Sequence, residues 1–452
     1  MLIASNQVHL IVGGGATGLS AARFLHKQQK AFVVFDTRSE PAIFEPFKAL
    51  DADVRCYNSE LAPALWQQIS RVILSPGVSR DEAVIVEALA RGIEVLGDVA
   101  LFLEHVDKPV IGITGSNGKS TVTTMVGLAA QCAGLKVAVG GNLGRPALDL
   151  LADEAELYVL ELSSFQLEST DRANLTVAAM LNVSADHLDR HGNLMNYFAI
   201  KQKIFYGAKN VVYKLDDALT QPPVLTAQPR YGFAIDKKAE QGEQQYYLNT
   251  NSAELYCDEQ RLIARADIKV KGLHNIENLL AAFAICDAAE IPRSAVSAMA
   301  REFGGLPHRC EVVAEGSRGC FIDDSKATNE GACIAALKGL APEFEQVRLI
   351  AGGLAKGASF ELLAPVLTQC VSRLVLIGED APLIEAKVAG LDCLHAQTME
   401  QAVLLAAEGA GEQDLVLLSP ACASFDMFKG FEHRGQSFAA AVDKLYSEAA
   451  AQ

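Results

Sequence analysis

The residues with the clearest chemical potential lie in one short stretch, residues 110–126. An apolar strand runs into Gly115-Ser-Asn-Gly-Lys119 and then into a pattern typical of a helix. Glycines in such a turn expose backbone N–H groups, and the start of a helix adds partial positive charge, so both attract phosphate oxygens. A lysine here reaches the outer phosphates, and the next hydroxyls can bind Mg²⁺. The stretch predicts a nucleoside-triphosphate site formed by Gly115, Ser116, Asn117, Gly118, Lys119, Ser120 and Thr121.

The spacing of this loop departs from the usual phosphate loop, which has four residues between its first glycine and the Gly-Lys pair. That first position is Ile113 here, and Gly112 lies one residue earlier. The chemistry requires Gly115 and Gly118, which let the backbone wrap an anion, and it requires Lys119. The strand-turn-helix context therefore favours a phosphate site that begins differently over a plain turn.

A second glycine-rich turn lies near the N-terminus. Residues 13–18 fit GxGxxG between a strand and a helix, and Asp36 ends the next strand. This pattern is typical of dinucleotide binding, with the acidic residue on a ribose hydroxyl, so a nicotinamide or flavin is the default ligand. The block before the phosphate loop is short for a full dinucleotide domain. A half-site for one nucleotide or nucleotide sugar is favoured, with Gly77 of a later strand end in the same crevice.

Charged side chains follow several further strands. Glu161 ends an apolar strand, where its carboxylate can hold a metal opposite the phosphate loop. His187 follows another strand, although Mg²⁺ prefers oxygen ligands. Lys201 lies on a predicted helix, where a solvated lysine is the ordinary interpretation. In the last third of the chain, strand ends carry hydroxyl and basic residues that together favour a site for a small anion.

The elements that position these residues alternate along the chain. Short β-branched runs are separated by helical patterns nearly throughout, which predicts an α/β fold with parallel sheets covered on both faces. We expect three domains, residues 1–97, 98–304 and 305–452. The polar stretch 215–266 predicts loops and short antiparallel strands.

Composition excludes several classes of function. The 452 residues carry a formal charge of −16 and no lysine- or arginine-rich run, which argues against nucleic acid as a main partner. The ten cysteines are scattered singly without a CxxC pair, which favours reduced thiols in a cytoplasmic protein. The N-terminal apolar stretch divides into strand, turn and helix, so we expect no targeting segment and no membrane insertion.

A set of motifs in order resembles a known family across nearly the whole chain. GITGSNGKST, ELSSFQLE, NVSADHLDRHG, KGLHNIENLLAA, GLPHR and DDSKATN are similar to the Mur ligases of bacterial cell-wall synthesis. DDSKATN and SPACASFDMFKGFEHRG resemble most closely the branch that adds D-glutamate. The resemblance implies a Rossmann-like N-terminal domain, a P-loop ATPase-like central domain and a Rossmann-like C-terminal domain.

The implied activity is an ATP-dependent ligase in peptidoglycan precursor synthesis. It would join UDP-N-acetylmuramoyl-L-alanine to D-glutamate through an acyl phosphate, as a cytoplasmic monomer. Two Mg²⁺ ions are implied, because the substrate carboxylate and the triphosphate are both anions. The first domain would hold the UDP of the substrate and no nicotinamide.

The resemblance also implies roles for individual residues. UDP-substrate contacts are implied for Ala16, Thr17, Asp36, Thr37, Arg38 and Gly77. Ser120 and Glu161 are implied as ligands of one Mg²⁺, and His187 and Lys201 as ligands of the second. Lys201 matches a lysine that is carbamylated in the family. The Tyr197-x-x-x-Lys201 spacing favours Lys201 over Lys203. The implied catalytic residues are Lys119, Asn142, His187 and Lys201.

The remaining implied contacts belong to ATP and the incoming amino acid. ATP contacts are implied for Asn275, Arg309, Asp324 and Lys326, and D-glutamate contacts for Thr328, Lys356, Ser424 and Phe431. Alternatives are another amino-acid-adding member of the family, an NAD-dependent oxidoreductase with an incidental phosphate loop, and a P-loop small-molecule kinase. The first block and SPACASFD argue against a folylpolyglutamate-type ligase.

Overall fold

The structure is a computed structural model that describes residues 7–38, 40–223, 228–237, 243–388 and 390–450. Its strands are β1 (Val8–Val12), β2 (Phe32–Phe35), β3 (Arg55–Tyr57), β4 (Ile69–Leu74), β5 (Glu94–Gly97), β6 (Val110–Thr114), β7 (Val137–Gly141), β8 (Leu157–Glu161), β9 (Val177–Met180), β10 (Asn210–Lys214), β11 (Arg230–Phe233), β12 (Gln244–Asn249), β13 (Glu254–Cys257), β14 (Gln260–Ala264), β15 (Glu311–Gly316), β16 (Gly319–Asp323), β17 (Gln346–Gly352), β18 (Arg373–Ile377), β19 (Asp392–His395) and β20 (Asp414–Leu418).

The helices fall between these strands. They are α1 (Ala16–Lys27), α2 (Glu45–Leu50), α3 (Pro63–Trp66), α4 (Ala83–Ala90), α5 (Asp98–Leu103), α6 (Lys119–Cys132), α7 (Ala147–Leu150), α8 (Ser164–Glu168), α9 (Leu188–His191), α10 (Leu194–Gln202), α11 (Leu273–Ala288), α12 (Arg293–Glu302), α13 (Glu330–Leu340), α14 (Leu363–Cys370), α15 (Ala381–Glu385), α16 (Met399–Ala407) and α17 (Phe431–Ala450). Among the described residues, no helix has both the length and the apolar character needed to cross a membrane.

The N-terminal sheet has five parallel strands in the order β3-β2-β1-β4-β5. Its central strands are continuous apolar runs, because both faces are covered: β1 and β2 are almost entirely buried. Parallel strands end at one edge of the sheet, where open α/β folds bind ligands. The glycine-rich turn after β1 and Asp36 after β2 meet at this edge.

The central sheet has nine strands in the order β14-β13-β12-β11-β10-β9-β6-β8-β7. Strand β6 lies between β8 and β9, and all five of its residues are buried. The phosphate loop follows β6 directly and leads into α6. Glu161, the last residue of β8, therefore lies beside the loop at the same sheet edge, since Ile113 pairs with Glu161.

The stretch 215–266 is partly as predicted. Strands β12, β13 and β14 form an antiparallel meander, but β11 pairs in parallel with both β10 and β12. The connection from β10 to β11, residues 215–229, is long enough for the crossover that a parallel pair requires. The expectation of antiparallel strands is therefore wrong for β11.

The C-terminal sheet has six strands in the order β15-β16-β20-β17-β18-β19, and only the β15–β16 hairpin is antiparallel. Helices α13, α14 and α15 pack on one face, and α16 and α17 on the other. The predicted α/β class is confirmed by these three sheets.

The N-terminal domain is joined to the central domain through a shared apolar core, to which α1, α5 and α7 contribute. Asp149 on α7 accepts hydrogen bonds from Ser20 at 2.9 Å and from Arg23. The C-terminal domain meets the central domain through polar contacts, among them Asn329 Nδ2 to Asp186 Oδ2 at 3.2 Å. The reaction cavity lies at this second junction.

Replacement of Gly18 by alanine is expected to destabilise the N-terminal domain. A Cβ at Gly18 would lie 1.9 Å from the carbonyl oxygen of Gly13, whereas a Cβ at Gly77 would meet nothing within 4 Å. Forcing an atom into such a packed turn costs about 1–3 kcal/mol. Urea unfolding should show this loss for Gly18→Ala and not for the control Gly77→Ala. Equal stability of the two variants would contradict the assigned close packing of the turn.

Candidate active site

A polar cavity of about 730 Å³ lies where the central and C-terminal domains meet. It lies at the carboxyl ends of the strands of both sheets, where the sequence predicted the site residues. The predicted residues that line it are Ser116, Asn117, Gly118, Lys119, Ser120, Thr121, Asn142, Glu161, His187, Asn275, Arg309, Asp324, Lys326, Thr328, Lys356, Ser424 and Phe431. One cavity is thus lined by the residues predicted for one metal ion and for the incoming amino acid, and by all those predicted for ATP except Gly115.

The phosphate loop is held open by its own backbone geometry. Gly118 has φ +80°, a left-handed conformation that favours glycine, and a Cβ there would lie 2.5 Å from Asn278 Oδ1. The side-chain amide of Asn182 fixes the loop through two hydrogen bonds to the backbone of Asn117. Its Oδ1 accepts from Asn117 N at 2.8 Å, and its Nδ2 donates to Asn117 O at 3.0 Å. The helix start and these oriented N–H groups suit a phosphate chain.

Two lysine amines meet at the base of this loop. Lys119 Nζ donates to Gly115 O and to Ser116 O, each at 2.9 Å. Lys201 Nζ donates to the same Gly115 O at 2.9 Å and to Thr114 Oγ1 at 3.2 Å. Burial lowers the pKa of both amines, and the charge of Lys119 lowers that of Lys201 further.

Lys201 is thus a buried residue and not a solvated one. Its side chain is 1% exposed, and its amine lies 4.7 Å from the centre of the Tyr197 ring. Lys203 instead donates to Asp171 and to the backbone of Glu168, away from the phosphate loop. Of the two candidates separated in the sequence by one residue, Lys201 is the one at the loop.

Glu161 carries the buried carboxylate of the site. Its Oε1 accepts from Asn142 Nδ2 at 2.6 Å, and the residue is 2% exposed. Its Oε2 is buried with no hydrogen-bond partner in the described part of the chain. A buried carboxylate oxygen without a donor is costly, and a cation is the natural partner for it. Glu161, with the nearby Ser120 hydroxyl, therefore fits an oxygen-bound divalent metal.

His187 lies on the cavity wall, at the start of α9, with φ +52°. Its ring packs edge-on against that of Phe165, with 5.0 Å between the ring centroids. Its Nε2 atom lies 3.8 Å from Asp186 Oδ2. Lys201, by contrast, lies beneath the phosphate loop. His187 lines the cavity and Lys201 is buried against the loop, and their joint binding of a second metal stays a prediction.

The C-terminal domain supplies the cationic wall of the cavity. Arg309 Nη2 donates to Ser120 Oγ at 2.8 Å and so bridges the two domains. Lys326 Nζ lies 3.8 Å from the centre of the Phe431 ring, and burial lowers the pKa of Lys326 to about 8. This wall can meet the negative charge of a triphosphate or of a small carboxylate.

Asp324 is the acidic exception on that wall. It is 7% exposed and accepts from Ser419 Oγ at 2.8 Å. Burial raises the pKa of Asp324 to about 7. A carboxyl held in this environment can bind a hydroxyl, such as that of a ribose, by accepting or by donating a hydrogen bond.

The predicted nucleotide turn of the N-terminal domain lies apart from the lining of this cavity. Asp36 accepts from Gly14 N at 2.6 Å and from two guanidinium nitrogens of Arg38, Nε at 2.9 Å and Nη2 at 2.8 Å. The hydrogen bond from Arg38 is the main reason that the pKa of Asp36 falls to about 2. Ala16 and Thr17 begin α1 at the same edge, with Thr37 and Gly77 in the adjacent turns.

Family comparisons agree with this geometry. Residues 7–97 match the Mur ligase MurD-like N-terminal domain, residues 113–286 the Mur ligase middle domain, and residues 308–422 the Mur ligase glutamate ligase domain. The chain is 50% identical over 451 residues to the UDP-N-acetylmuramoylalanine--D-glutamate ligase of Saccharophagus degradans, covering 98% of this chain and 99% of that relative. The chain belongs to the Mur ligase family.

Solved structures show the same fold as this Mur ligase. The type C pseudomurein peptide ligase of Methanothermus fervidus has a TM-score of 0.62 at 18% identity, covering 97% of this chain and all of that one. The folylpolyglutamate synthase/dihydrofolate synthase of Yersinia pestis, solved with AMPPNP and Mn, has a TM-score of 0.56 at 18% identity, covering 76% and 92%. The predicted family and the predicted three-domain α/β fold are confirmed.

Sequence reasoning missed some residues of this Mur ligase site. Asn182 holds the phosphate loop through hydrogen bonds to Asn117, and its signal was an amide two residues after the end of β9, the strand beside the loop. Asn278 lies against Gly118, and its signal was the three-residue spacing from Asn275, which places both amides on one face of α11. His308 lies within the GLPHR motif, which alone does not indicate a role for it.

The buried carboxyl of Asp324 is expected to make stability depend on pH. Its folded-state pKa of about 7 is above the unfolded value of about 3.9, so the folded chain holds a proton that the unfolded chain has lost. This contribution to the unfolding free energy therefore falls as pH rises from 4 to 7 and is constant above. Urea unfolding at several pH values should show that Asp324→Asn gains stability relative to wild type as pH rises. The exposed control Asp443→Asn should not, and parallel profiles for wild type and Asp324→Asn would count against the raised pKa.

Proposed function

We propose that the chain joins UDP-N-acetylmuramoyl-L-alanine to D-glutamate and couples this amide bond to the conversion of ATP to ADP and phosphate. The curated relative named above carries this substrate pair in its name, and it matches over nearly the whole length of both chains. The free cysteines are compatible with a cytoplasmic enzyme, and we propose that it works there as a monomer.

The observation that carries this proposal is a buried carboxylate oxygen without a donor, surrounded by partly buried cations. Among the residues that the structure describes, Glu161 Oε2 is buried without a donor, and Lys119 of the adjacent phosphate loop donates to the carbonyls of Gly115 and Ser116. Arg309 and Lys326 face the loop from the other domain. The charges of such a site complement those of a metal-bound polyphosphate together with a carboxylate.

The proposed first step is transfer of a phosphoryl group to the substrate carboxylate. A carboxylate oxygen forms a bond to the γ-phosphorus while the bond to the β,γ-bridging oxygen breaks, and ADP leaves. Lys119 and Arg309 would hold the phosphates in line, and Asn142 and His187 would orient the carboxylate. The contact of Asn142 with Glu161 fixes its amide for this purpose.

The second step forms the amide. The D-glutamate amine attacks the acyl carbon, a tetrahedral intermediate forms, the carbon–oxygen bond to phosphate breaks, and the nitrogen loses a proton. Thr328, Lys356, Ser424 and Phe431 line one part of the cavity and would bind the amino acid. A cation and hydroxyl groups suit the two carboxylates of this small dianion.

Divalent metal ions would neutralise the approach of two anions and the charge of the transferred phosphoryl group. Ser120 and Glu161 would hold one, and His187 and Lys201 the other. Because an ammonium repels a metal, we propose that Lys201 is carbamylated, which replaces its positive charge with oxygen ligands. The lowered pKa of Lys201 supplies the neutral amine that reaction with carbon dioxide requires.

Phosphate release under controlled substrate supply tests the proposed function. Release, with one amide formed per phosphate, is expected only when ATP, the UDP-muramoyl substrate and D-glutamate are all present. If the amide forms with a different amino acid and not with D-glutamate, the assignment of D-glutamate as the substrate is wrong. A stable phosphorylated product formed without any amine, or a change in nicotinamide absorbance without phosphate release, would contradict it.

Lys119→Ala is expected to abolish turnover while leaving the fold intact. Loss of one charge that stabilises the transferred phosphoryl group costs at least about a hundredfold in rate. Phosphate release should fall by this factor, with the circular dichroism spectrum unchanged. The control is Lys136→Ala, an exposed lysine of the same domain. Unchanged phosphate release in Lys119→Ala would count decisively against the phosphate-loop assignment.

Lys201→Ala is expected to lose activity that a small added carboxylic acid restores in part. The substitution removes a buried side chain beneath the loop and leaves space in which formate or acetate can supply carboxylate oxygens. Initial rates with increasing formate or acetate should rise for Lys201→Ala and not for Lys119→Ala. No recovery with any such acid would weaken the carbamate proposal without touching the phosphate-loop assignment.

A further inference from the structure

We infer that His308 and Asp323 form a positioning pair that holds the ATP and amino-acid sides of the cavity in register. This inference rests on the proposed function. Neither residue lines the cavity, but the segments they connect do. The pair belongs to the C-terminal domain and lies next to the residues that are proposed to contact the substrates.

The pair has the geometry of a strong, buried hydrogen bond. His308 Nδ1 lies 2.6 Å from Asp323 Oδ2, and the Asp323 side chain is 2% exposed. The other oxygen, Asp323 Oδ1, accepts from Ser325 N at 2.8 Å. Both carboxylate oxygens are thus bonded, as a buried carboxylate requires. His308 itself has φ +61°, a strained conformation for histidine, so the bond is made despite a backbone cost.

A metal ion is a weaker explanation for the same residues. His308, Glu311 and Asp323 bring three potential ligand atoms within 4.8 Å of one another. Two ligand atoms on a tetrahedral zinc are separated by about 3.3 Å, because each bond is about 2.0–2.1 Å long. The 2.6 Å separation in this structure is that of a hydrogen bond. Glu311 is already engaged, since its Oε2 accepts from His308 N at 2.9 Å.

Three segments of the cavity depend on the position of His308. Arg309, the next residue, reaches the phosphate loop at Ser120 Oγ. The carbonyl of His308 accepts from Lys326 N at 3.1 Å, which fixes the start of the turn that carries Lys326. The imidazole packs edge-on against Phe431, with centroids 6.2 Å apart and planes at 78°. One residue thus sets the register of an ATP contact and of an amino-acid contact.

Helix α17 closes over the pair from behind. A Cβ at Gly435 would lie 2.2 Å from His308 Nδ1 and 2.4 Å from Asp323 Oδ2, so only glycine lets the helix approach this closely. The preceding Arg434 is fully buried and donates to Ser325 O at 2.8 Å and to Cys422 O at 3.1 Å. The imidazole is therefore packed between α17, Asp323 and the Phe431 ring, which restricts its rotation.

The test compares His308→Leu with His308→Asn. Leucine removes the donor, whereas asparagine places an amide nitrogen near the position of Nδ1 and tolerates the left-handed backbone. For His308→Leu we expect KM for ATP and for D-glutamate to rise about tenfold or more, because displaced binding groups lose their alignment. KM for the UDP-muramoyl substrate, which binds through another domain, should stay within about twofold. His308→Asn should remain close to wild type in all three.

The outcomes that overturn the inference are distinct. They are unchanged ATP and D-glutamate KM values in His308→Leu, an equal rise in all three KM values, or His308→Asn as impaired as His308→Leu. If His308→Leu does not fold, His308→Gln takes its place, because its longer side chain cannot put a donor at the Nδ1 position. Near-normal KM values in His308→Gln then overturn the inference.

Two further measurements separate this inference from the proposed function. The control His395→Leu removes an exposed histidine of the same domain, paired with Glu385 at 3.1 Å, and should leave every KM unchanged. Binding of a fluorescent ATP analogue reports on Arg309 without any amide being formed. If wild type fails to use D-glutamate but His308→Leu still binds the analogue about tenfold more weakly, the substrate proposal fails and the positioning pair stands.

Discussion

The carbonyl oxygen of Gly115 accepts hydrogen bonds from two lysine amines, and the rest of the site is organised around that concentration of positive charge. Lys119 and Lys201 both lie 2.9 Å from this one oxygen. Burying two like charges side by side is costly unless anions or neutralisation relieve it. In the proposed function a bound polyphosphate would relieve this cost on the cavity side of the loop, and conversion of Lys201 to a carbamate would relieve it on the buried side. The Glu161 oxygen that has no donor would then bind a metal ion, so in the proposed site the protein charges are balanced by the polyphosphate and the metal together.

These charged groups belong to different domains. The phosphate loop and Glu161 belong to the central sheet, and the nucleotide turn with Asp36 belongs to the N-terminal sheet, which shares an apolar core with the central domain. The cationic wall with Arg309 belongs to the C-terminal sheet, which meets the central domain through polar contacts such as that of Asn329 with Asp186. Polar junctions of this kind separate more readily than apolar cores. We therefore expect substrates to enter through movement of the C-terminal domain, and the inferred His308–Asp323 pair would keep that wall rigid during such a movement.

Much of the fold was predictable because buried parallel strands are continuous apolar runs. The strands β1, β6, β8, β17 and β20 are visible in the sequence for that reason, and the phosphate loop is visible because its glycines and lysine lie between β6 and α6. The pairing direction of β11 was not predictable, because a strand of four residues inside the sheet carries no local signal for the direction in which its neighbours will pair with it. The burial of Lys201 was equally hidden, since a lysine on a helix reads as solvated and only tertiary contacts bring it beneath the loop. The role of His308 depends on its approach to Asp323 and Gly435, which no local pattern records.

In the proposed reaction the substrate carboxylate itself receives the γ-phosphoryl group, and an isotope transfer experiment can detect this transfer. The UDP-muramoyl substrate would be prepared with ¹⁸O in its terminal carboxylate, and the released phosphate analysed by mass spectrometry. Activation as an acyl phosphate predicts one labelled oxygen in each phosphate released, because the carbon–oxygen bond breaks when the amine attacks. Phosphate released without label, with amide formed at the normal rate, would contradict phosphoryl transfer to the carboxylate and with it the reason for this arrangement of charge.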